Sequence, residues 1–462
     1  MSTRKSKLSS KSKLSSKSTV SFPLVNTHAA GIDIGSRSNW VAIGTSKSCI
    51  REFGVFTCDH HEMAKWLQSH DIRTIAMEST GVYWKSLFLI LQSYGFEVLL
   101  VNARHIKNVR GKKSDILDCQ WIWKLHQAGL LHGSFQPDEI TEELRIYNRQ
   151  RQSLIQRASR SISLMQKSLI LMNIQLSVVL SDITGKSGQK IIRSILEGER
   201  NGRHLAKFAD PRVRATKSTI AKALTGQWSE HHLFTLQQSW DSYQFYQSQI
   251  EACDTKMEML LANQVVSNGQ HDLIYEPEKK KRRTKNATRV AIDQYAYQLS
   301  DGVDLMKVDG ISHNLVMTLT AEVGLNLKEK FRTSKHFTSW LSLTPNKKIT
   351  GGKVFSSSTQ KNKNRLALAF KQAANAVGRK KDSPLGHFFR KLAHKKGRKL
   401  AITATARKLA VIVYKMLCEK EAFDATRMII EQTKFRTQKL KYIQKTIAKL
   451  NIKVDELDFA TV

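Results

Sequence analysis

The chain has 462 residues and a mass of 52.6 kDa, enough for two to four domains at roughly 100–200 residues each. A hydrophobic content of 41% excludes a wholly disordered polymer. Lysine and arginine number 75 against 39 acids, a net charge of +36 with a pI near 10.0, which points to a polyanionic partner. Nucleic acid leads, because basic side chains that neutralise phosphates release counterions; an anionic membrane surface is the alternative. No apolar run approaches the roughly 18–20 residues of a spanning helix, and the basic polar start does not read as a secretory signal. Five scattered cysteines without a CxxC pair fit a reducing cytoplasm and no zinc site.

Residues 1–27 repeat KSKLSS and are expected to form a disordered basic tail. From 28 to 140 the grain changes. HAAGIDIG, WVAIGTS and CIREFGVFT read as strands, HHEMAKWLQSH as a helix, and TIAMEST as a strand. GVYWKSLFLILQSYG reads as a helix, FEVLLVN as a strand, and SDILDCQWIWKLHQAG as a helix capped by Ser114. Three strands followed by alternating helix and strand predict an α/β layer.

Residues 141–270 read as helical. One stripe runs through Leu154, Ala158, Ile162, Met165, Leu169, Met172 and Leu176. A second runs through Leu233, Leu236, Trp240, Tyr243, Ile250, Met257 and Leu260. Steps of three and four predict long helices that pair antiparallel as a coiled-coil arm, with an ordinary bundle as the alternative. Residues 271–297, with the run EPEKKKRRTKN, read as a basic linker. Residues 298–420 read as a mostly helical domain. It opens on a helix–hairpin–helix-like segment, MKVDGISHNLVMTLTAEVG, and contains a basic glycine-bearing loop, TPNKKITGGKVFSSSTQKNKNR. Residues 421–462 read as a helix and tail.

The chemistry lies in four acids. Asp33 sits inside the first strand and Glu78 ends the fourth; Asp115 and Asp118 open the following helix, on one face by their spacing. If the first and fourth strands are neighbours and the helix crosses them, four carboxylates meet. Their mutual repulsion then calls for a divalent cation. Oxygen-only ligation selects Mg²⁺ or Mn²⁺, the ions of two-metal phosphoryl transfer. Singly, each acid also reads as a turn, capping or helix-start residue. The basic run Arg104, Lys107, Arg110, Lys112 and Lys113 beside them suits a phosphodiester, or a solvated loop.

GIDIG, AMESTGVYW and VNARHIKNVRGKKSDILDCQW resemble the N-terminal domain of the DEDD-class insertion-sequence transposases, relatives of the Piv DNA invertase. VDGIS, LTAEVG, FTSWLSLTPNKKITGGKVFSS and KNKNRLALAFKQAA resemble that family's C-terminal transposase domain. The resemblance covers roughly residues 28–420. It implies a RuvC-like, RNase H-type fold for 28–140, Mg²⁺ on Asp33, Glu78, Asp115 and Asp118, and a hydroxyl nucleophile that links covalently to DNA. It also implies donor and target DNA, a structured bridge RNA as guide, a homo-oligomer (dimer or tetramer), and a place in the prokaryotic cytoplasm at the nucleoid. Where the family usually carries Ser-Gly-Gly-Lys this chain has Thr350, Gly351, Gly352 and Lys353. Thr350 thus stands at the nucleophile position, with the same hydroxyl but an added methyl. Lys347, Lys348, Lys353, Lys361, Lys363 and Arg365 are expected to hold the phosphate backbone, with the glycines allowing close approach. Two other classes stay open: a metal-dependent nuclease attacking with water, and a catalytically decayed binder of nucleic acid.

Overall fold

A computed structural model describes residues 24–79, 81–102, 115–270, 272–277, 281–360 and 364–449. The chain divides into two units, Met1–Gln136 and Pro137–Val462, each with its own core.

In the first unit, strands β1 (Ala29–Ile34), β2 (Asn39–Ala42), β3 (Ile50–Phe53), β4 (Thr74–Glu78) and β5 (Glu97–Val101) form one sheet in the order β3-β2-β1-β4-β5. β1 pairs antiparallel with β2 and parallel with β4, and β4 pairs parallel with β5. Such a mixed sheet is compatible with an RNase H-like domain. Side chains alternate between its faces. Ala30, Ile32, Ile34, Ile75 and Met77 enter the core beneath helices α1 (Thr57–Ser69) and α2 (Trp84–Ser93). Ala76 and Val101 point to the other face, where Ile122 of helix α3 (Asp115–Gln127) covers them. Cover on both faces explains why β1 and β4 read as nearly unbroken apolar runs.

The second unit is built on two long helices, α4 (Glu139–Leu171) and, after four short helices α5–α8 (Leu176–Val179, Lys186–Leu196, Gly202–Leu205 and Lys217–Ala223), α9 (Glu230–Ser267). They run antiparallel, since Arg151 meets Asp254 while Ser168 meets Thr235. Leu154, Ala158, Met165, Leu169, Leu233, Leu236, Trp240 and Tyr243 fill one core with the short helices. The segment expected as a linker is packed only in part: its run 282–286 is exposed. Thr288 and Val290 are buried, and Lys281 donates to the carbonyls of Val308 (2.9 Å) and Ile311 (3.0 Å).

Helix α10 (Ile292–Leu299) begins inside that segment and leads, through a 3₁₀ turn at Leu305–Lys307 and Gly310 (φ 89°), into α11 (His313–Val323). A single 3₁₀ turn therefore stands where the hairpin reading expected a first helix. α11 is buried along its length and is tied to α4 by Arg149, whose guanidinium donates twice to Glu322 at 2.9 and 2.7 Å. Helices α12 (Leu327–Lys330) and α13 (Ser334–Trp340) follow. Then come strands β6 (Lys348–Thr350) and β7 (Lys353–Ser356), and helices α14 (Arg365–Val377), α15 (Pro384–Lys396), α16 (Arg398–Glu419) and α17 (Thr426–Lys449). Phe337, fully buried, is ringed by Phe331, Trp340, Phe370 and Tyr414. Among the described residues no helix is long and apolar enough to cross a membrane.

Candidate active site

Within the first unit, strand pairing sets the distance between the first two acids. β1 and β4 are in register through Gly31↔Ala76 and Ile32↔Met77, so the next step sets Asp33 beside Glu78 at the carboxyl ends of adjacent parallel strands. Alternation gives their direction. Ile32 and Met77 enter the α1/α2 core, so Asp33 and Glu78 belong to the face that α3 covers. The strand order also reverses between β1 and β4, with β2 and β3 to one side and β5 to the other, and ligands of open α/β sheets bind outside strand carboxyl ends at such switch points.

Helix α3 lies directly on β1. A Cβ on Gly31 would sit 2.3 Å from the backbone nitrogen of Trp123 and 2.6 Å from the carbonyl oxygen of Cys119, so only glycine fits. The other end of α3 is fixed at the start of β4, where buried His126 hydrogen-bonds through Nε2 to the Thr74 hydroxyl (2.9 Å). Asn26 Nδ2 donates to the His126 carbonyl oxygen at 2.7 Å. With its C-terminal end at the beginning of β4, α3 runs against β1 and β4. Its first turn, bearing Asp115 and Asp118, therefore lies toward the strand ends that carry Asp33 and Glu78.

The electrostatics of Cys119 agree. Burial, then the charges of Asp33 and Asp118, push its thiol up to about 12. Asp33, Glu78 and Asp118 are half-buried, whereas Asp115 is exposed. The acids share an edge without closing on one another: among the described residues, no group of three or more His, Cys, Asp or Glu side chains could hold a metal ion. In donor chemistry the set still fits a hard cation, being all carboxylate oxygen. The expected basic neighbours Arg104, Lys107, Arg110, Lys112 and Lys113, and the capping Ser114, lie outside the described residues.

In the second unit, the stretch expected to be a loop is a β-hairpin. Thr350 pairs with Lys353 across a two-residue turn in which Gly351 and Gly352 have φ of 55° and 75°. Both positive angles define the primed turn that matches strand twist. Nothing lies within 4 Å of a Cβ built on either glycine, so it is dihedral angle, not crowding, that selects glycine here. Ile349 and Val354 pair one step below the turn, and β-branched residues on both arms favour extended backbone. Thr350 is exposed at the tip, beside exposed Lys347, Lys348 and Lys353. Ser356 and Ser358 hydrogen-bond to each other at 3.2 Å. Arg365, at the start of α14, donates to Gln152 Oε1 at 2.7 Å. Lys361 and Lys363 lie outside the described residues.

Reading the sequence alone missed Gly31, His126 and Asn26, which seat α3. Gly31 carried a usable signal, being the one residue without a side chain inside an apolar strand. His126 and Asn26 carried none, because their partners lie far away in sequence.

Two family models match the chain. Residues 30–173 match a DEDD-type IS110 model described as Transposase, and residues 304–389 match one described as Transposase IS116/IS110/IS902 family. The first span contains Asp33, Glu78, Asp115 and Asp118; the second contains the Gly310 turn and the Thr350 hairpin. Comparison with individually curated proteins finds no match.

Proposed function

This chain belongs to the IS116/IS110/IS902 family of transposases, and from that premise we propose that it cuts and rejoins DNA strands to move its own insertion sequence. The observation that carries the reading is the register of β1 and β4: it sets two acids side by side at strand carboxyl ends, on the face crossed by a helix whose first turn holds two more.

Asp33, Glu78, Asp115 and Asp118 would hold Mg²⁺ or Mn²⁺, oxygen donors for a hard cation. When bound, such a cation supplies charge neutralisation at the phosphate and Lewis acidity toward its oxygens. Gly31 and the His126–Thr74 bond hold α3 in place, and with it Asp115 and Asp118. In the second unit the hydroxyl of Thr350 is the nucleophile. Its oxygen bonds to phosphorus as the phosphodiester bond to one deoxyribose oxygen breaks; the threonine proton is lost and the departing strand oxygen gains one. Reversal by the hydroxyl of a new strand end releases Thr350 and rejoins DNA, so the energy of the ester is conserved and no nucleotide triphosphate is consumed. Lys347, Lys348 and Lys353 hold the strand by its phosphates.

The finer features also belong to this proposal. The first unit works as a RuvC-like DEDD domain, and the α4–α9 pair as a coiled-coil arm joining copies in a dimer or tetramer. A structured bridge RNA selects donor and target DNA, and the protein acts at the nucleoid of a prokaryotic cytoplasm.

The deciding experiment compares strand transfer by Asp33→Ala and Thr350→Ala proteins on matched DNA with guide RNA and Mg²⁺. Loss in both is the expected result. Cutting that survives Thr350→Ala and fails in Asp33→Ala would replace the proposal with hydrolysis by water. A second reading, binding without chemistry, draws on the methyl of Thr350, which crowds an in-line approach. On that reading both variants and the parent are equally silent, and Thr350→Ser restores strand transfer.

A further inference from the structure

The hairpin that carries Thr350 presents an aromatic ring for which the reaction so far has no use. Phe355, on β7, is 84% exposed, more than any other large apolar side chain among the described residues. Its exposure follows from the strand pairing. Thr350↔Lys353 and Ile349↔Val354 are regular, but the next pair is Lys348↔Ser356, so Phe355 has no residue opposite it. An extra residue of this kind is a β-bulge, and bulges turn a side chain out of the pleat next to working sites. Ile349 and Val354 form an exposed apolar cross-strand pair directly beneath the turn, at 61% and 56%. Water-exposed apolar area on so small a ribbon contributes nothing to folding; it costs solubility unless something covers it.

The surroundings select what covers it. Lys347, Lys348 and Lys353 are exposed on the same hairpin, and from Lys330 to Lys381 the sequence contains no Asp or Glu. A polyanion with flat apolar faces meets both demands: its phosphates meet the lysines, and an unstacked base meets the ring. Every base has a π-face, so such contact is tolerant of sequence. Apolar side chains inserted at a base step also open and kink duplexes.

We propose that Phe355 stacks on a nucleobase of the DNA strand engaged by the hairpin, opening the stack next to the phosphate presented to Thr350. The proposal rests on the strand-joining reading for the identity of that phosphate; the stacking contact stands on the hairpin alone. Phe355 is a positioning residue: it holds the base and leaves bond making to Thr350.

The test uses full-length protein and a mixed-sequence single-stranded DNA oligomer bearing 5-iodouracil, with salt-titrated binding as a second measurement. Light-induced crosslinking should map to Phe355. Phe355→Ala and Phe355→Leu should each weaken binding about 5- to 150-fold, and Phe355→Tyr should restore it. The slope of affinity against salt should stay at the parental value in the Phe355 variants and fall in Lys348→Gln, which removes a phosphate contact. A side chain this exposed contributes no core, so unchanged thermal melting confirms that the variants fold. Parental affinity in Phe355→Ala overturns the proposal. So does a Phe355→Ala protein that keeps its DNA affinity but loses its oligomeric state, since a second copy would then be what covers the ring. Failure of the Thr350 chemistry is read separately: no covalent adduct alongside an intact Phe355 crosslink removes the nucleophile and leaves the stacking in place.

Discussion

Replacing Gly31 with alanine adds one methyl group to β1, at a point where backbone already occupies the space. The new Cβ would lie 2.3 Å from Trp123 N, 2.6 Å from Cys119 O and 2.7 Å from Trp123 Cα. Ordinary carbon contacts need roughly 3.5–4 Å, so α3 must rise from the sheet by about 1 Å. None of the three atoms belongs to a side chain that could swing aside. Overpacking of this kind costs about 1–3 kcal/mol, and the first unit should unfold at correspondingly lower urea concentration. The same displacement moves Asp115 and Asp118 relative to Asp33 and Glu78. A misplacement of about 1 Å in a reacting constellation can lower the rate by about 100-fold. Urea titration followed by tryptophan fluorescence, together with strand-transfer assays under conditions where the variant is folded, measures both effects. DNA binding through the Thr350 hairpin should be unchanged. Parental stability and parental activity in Gly31→Ala would refute the packing of α3 on β1 and the acid geometry derived from it.

Two further predictions concern the seating of the helices. Burial lowers the pKa of His126 to about 4, so the folded state favours neutral imidazole while the unfolded chain takes up its proton near the ordinary histidine value of 6.5. Below that value the unfolded state binds more protons, so stability should fall as the pH drops from about 6.5 to about 4 and hold level above. With the ring almost wholly buried, the loss amounts to about 3 kcal/mol; His126→Gln should flatten that part of a pH-dependent unfolding curve, and an unchanged slope would contradict it. In the second unit, Arg151 donates to Asp254 at 2.8 and 3.3 Å, and Asp254 also accepts the Thr288 hydroxyl at 2.6 Å. Both charged groups are buried, so Arg151→Met leaves a buried carboxylate without its cation and should cost about 3–5 kcal/mol in chemical unfolding.

Legibility followed the range of the interactions. The strands that hold Asp33 and Glu78 were readable because burial on both faces produces unbroken apolar runs between turn residues. The adjacency of β1 and β4 entered only as a condition, which the pairing now meets. The two long helices were readable from their stripes, and most of the stripe residues are buried. The second stripe ends differently: Leu261 is buried where Leu260 was expected. Arg151 lies three residues before Leu154, and Asp254 four after Ile250; charges in phase with an apolar stripe signal a buried pair, and this one went unread. The hairpin was missed because strands of three and four residues rich in lysine have the composition of a loop. The paired glycines between β-branched residues were the local clue. The segment 271–297 reads as a linker because a charge run looks solvated, and 282–286 are indeed exposed; the partners of half-buried Lys281, the carbonyls of Val308 and Ile311, lie far off in sequence.

The proposed bond between a hydroxyl of this chain and DNA is the step on which strand joining depends. It is tested most directly by trapping the reaction with matched DNA, guide RNA and Mg²⁺, digesting the protein and the nucleic acid, and weighing the peptides. A nucleotide attached to the peptide that contains Thr350 is expected, absent in Asp33→Ala. Cut DNA with every peptide from the Thr350 hairpin at its unmodified mass would contradict it.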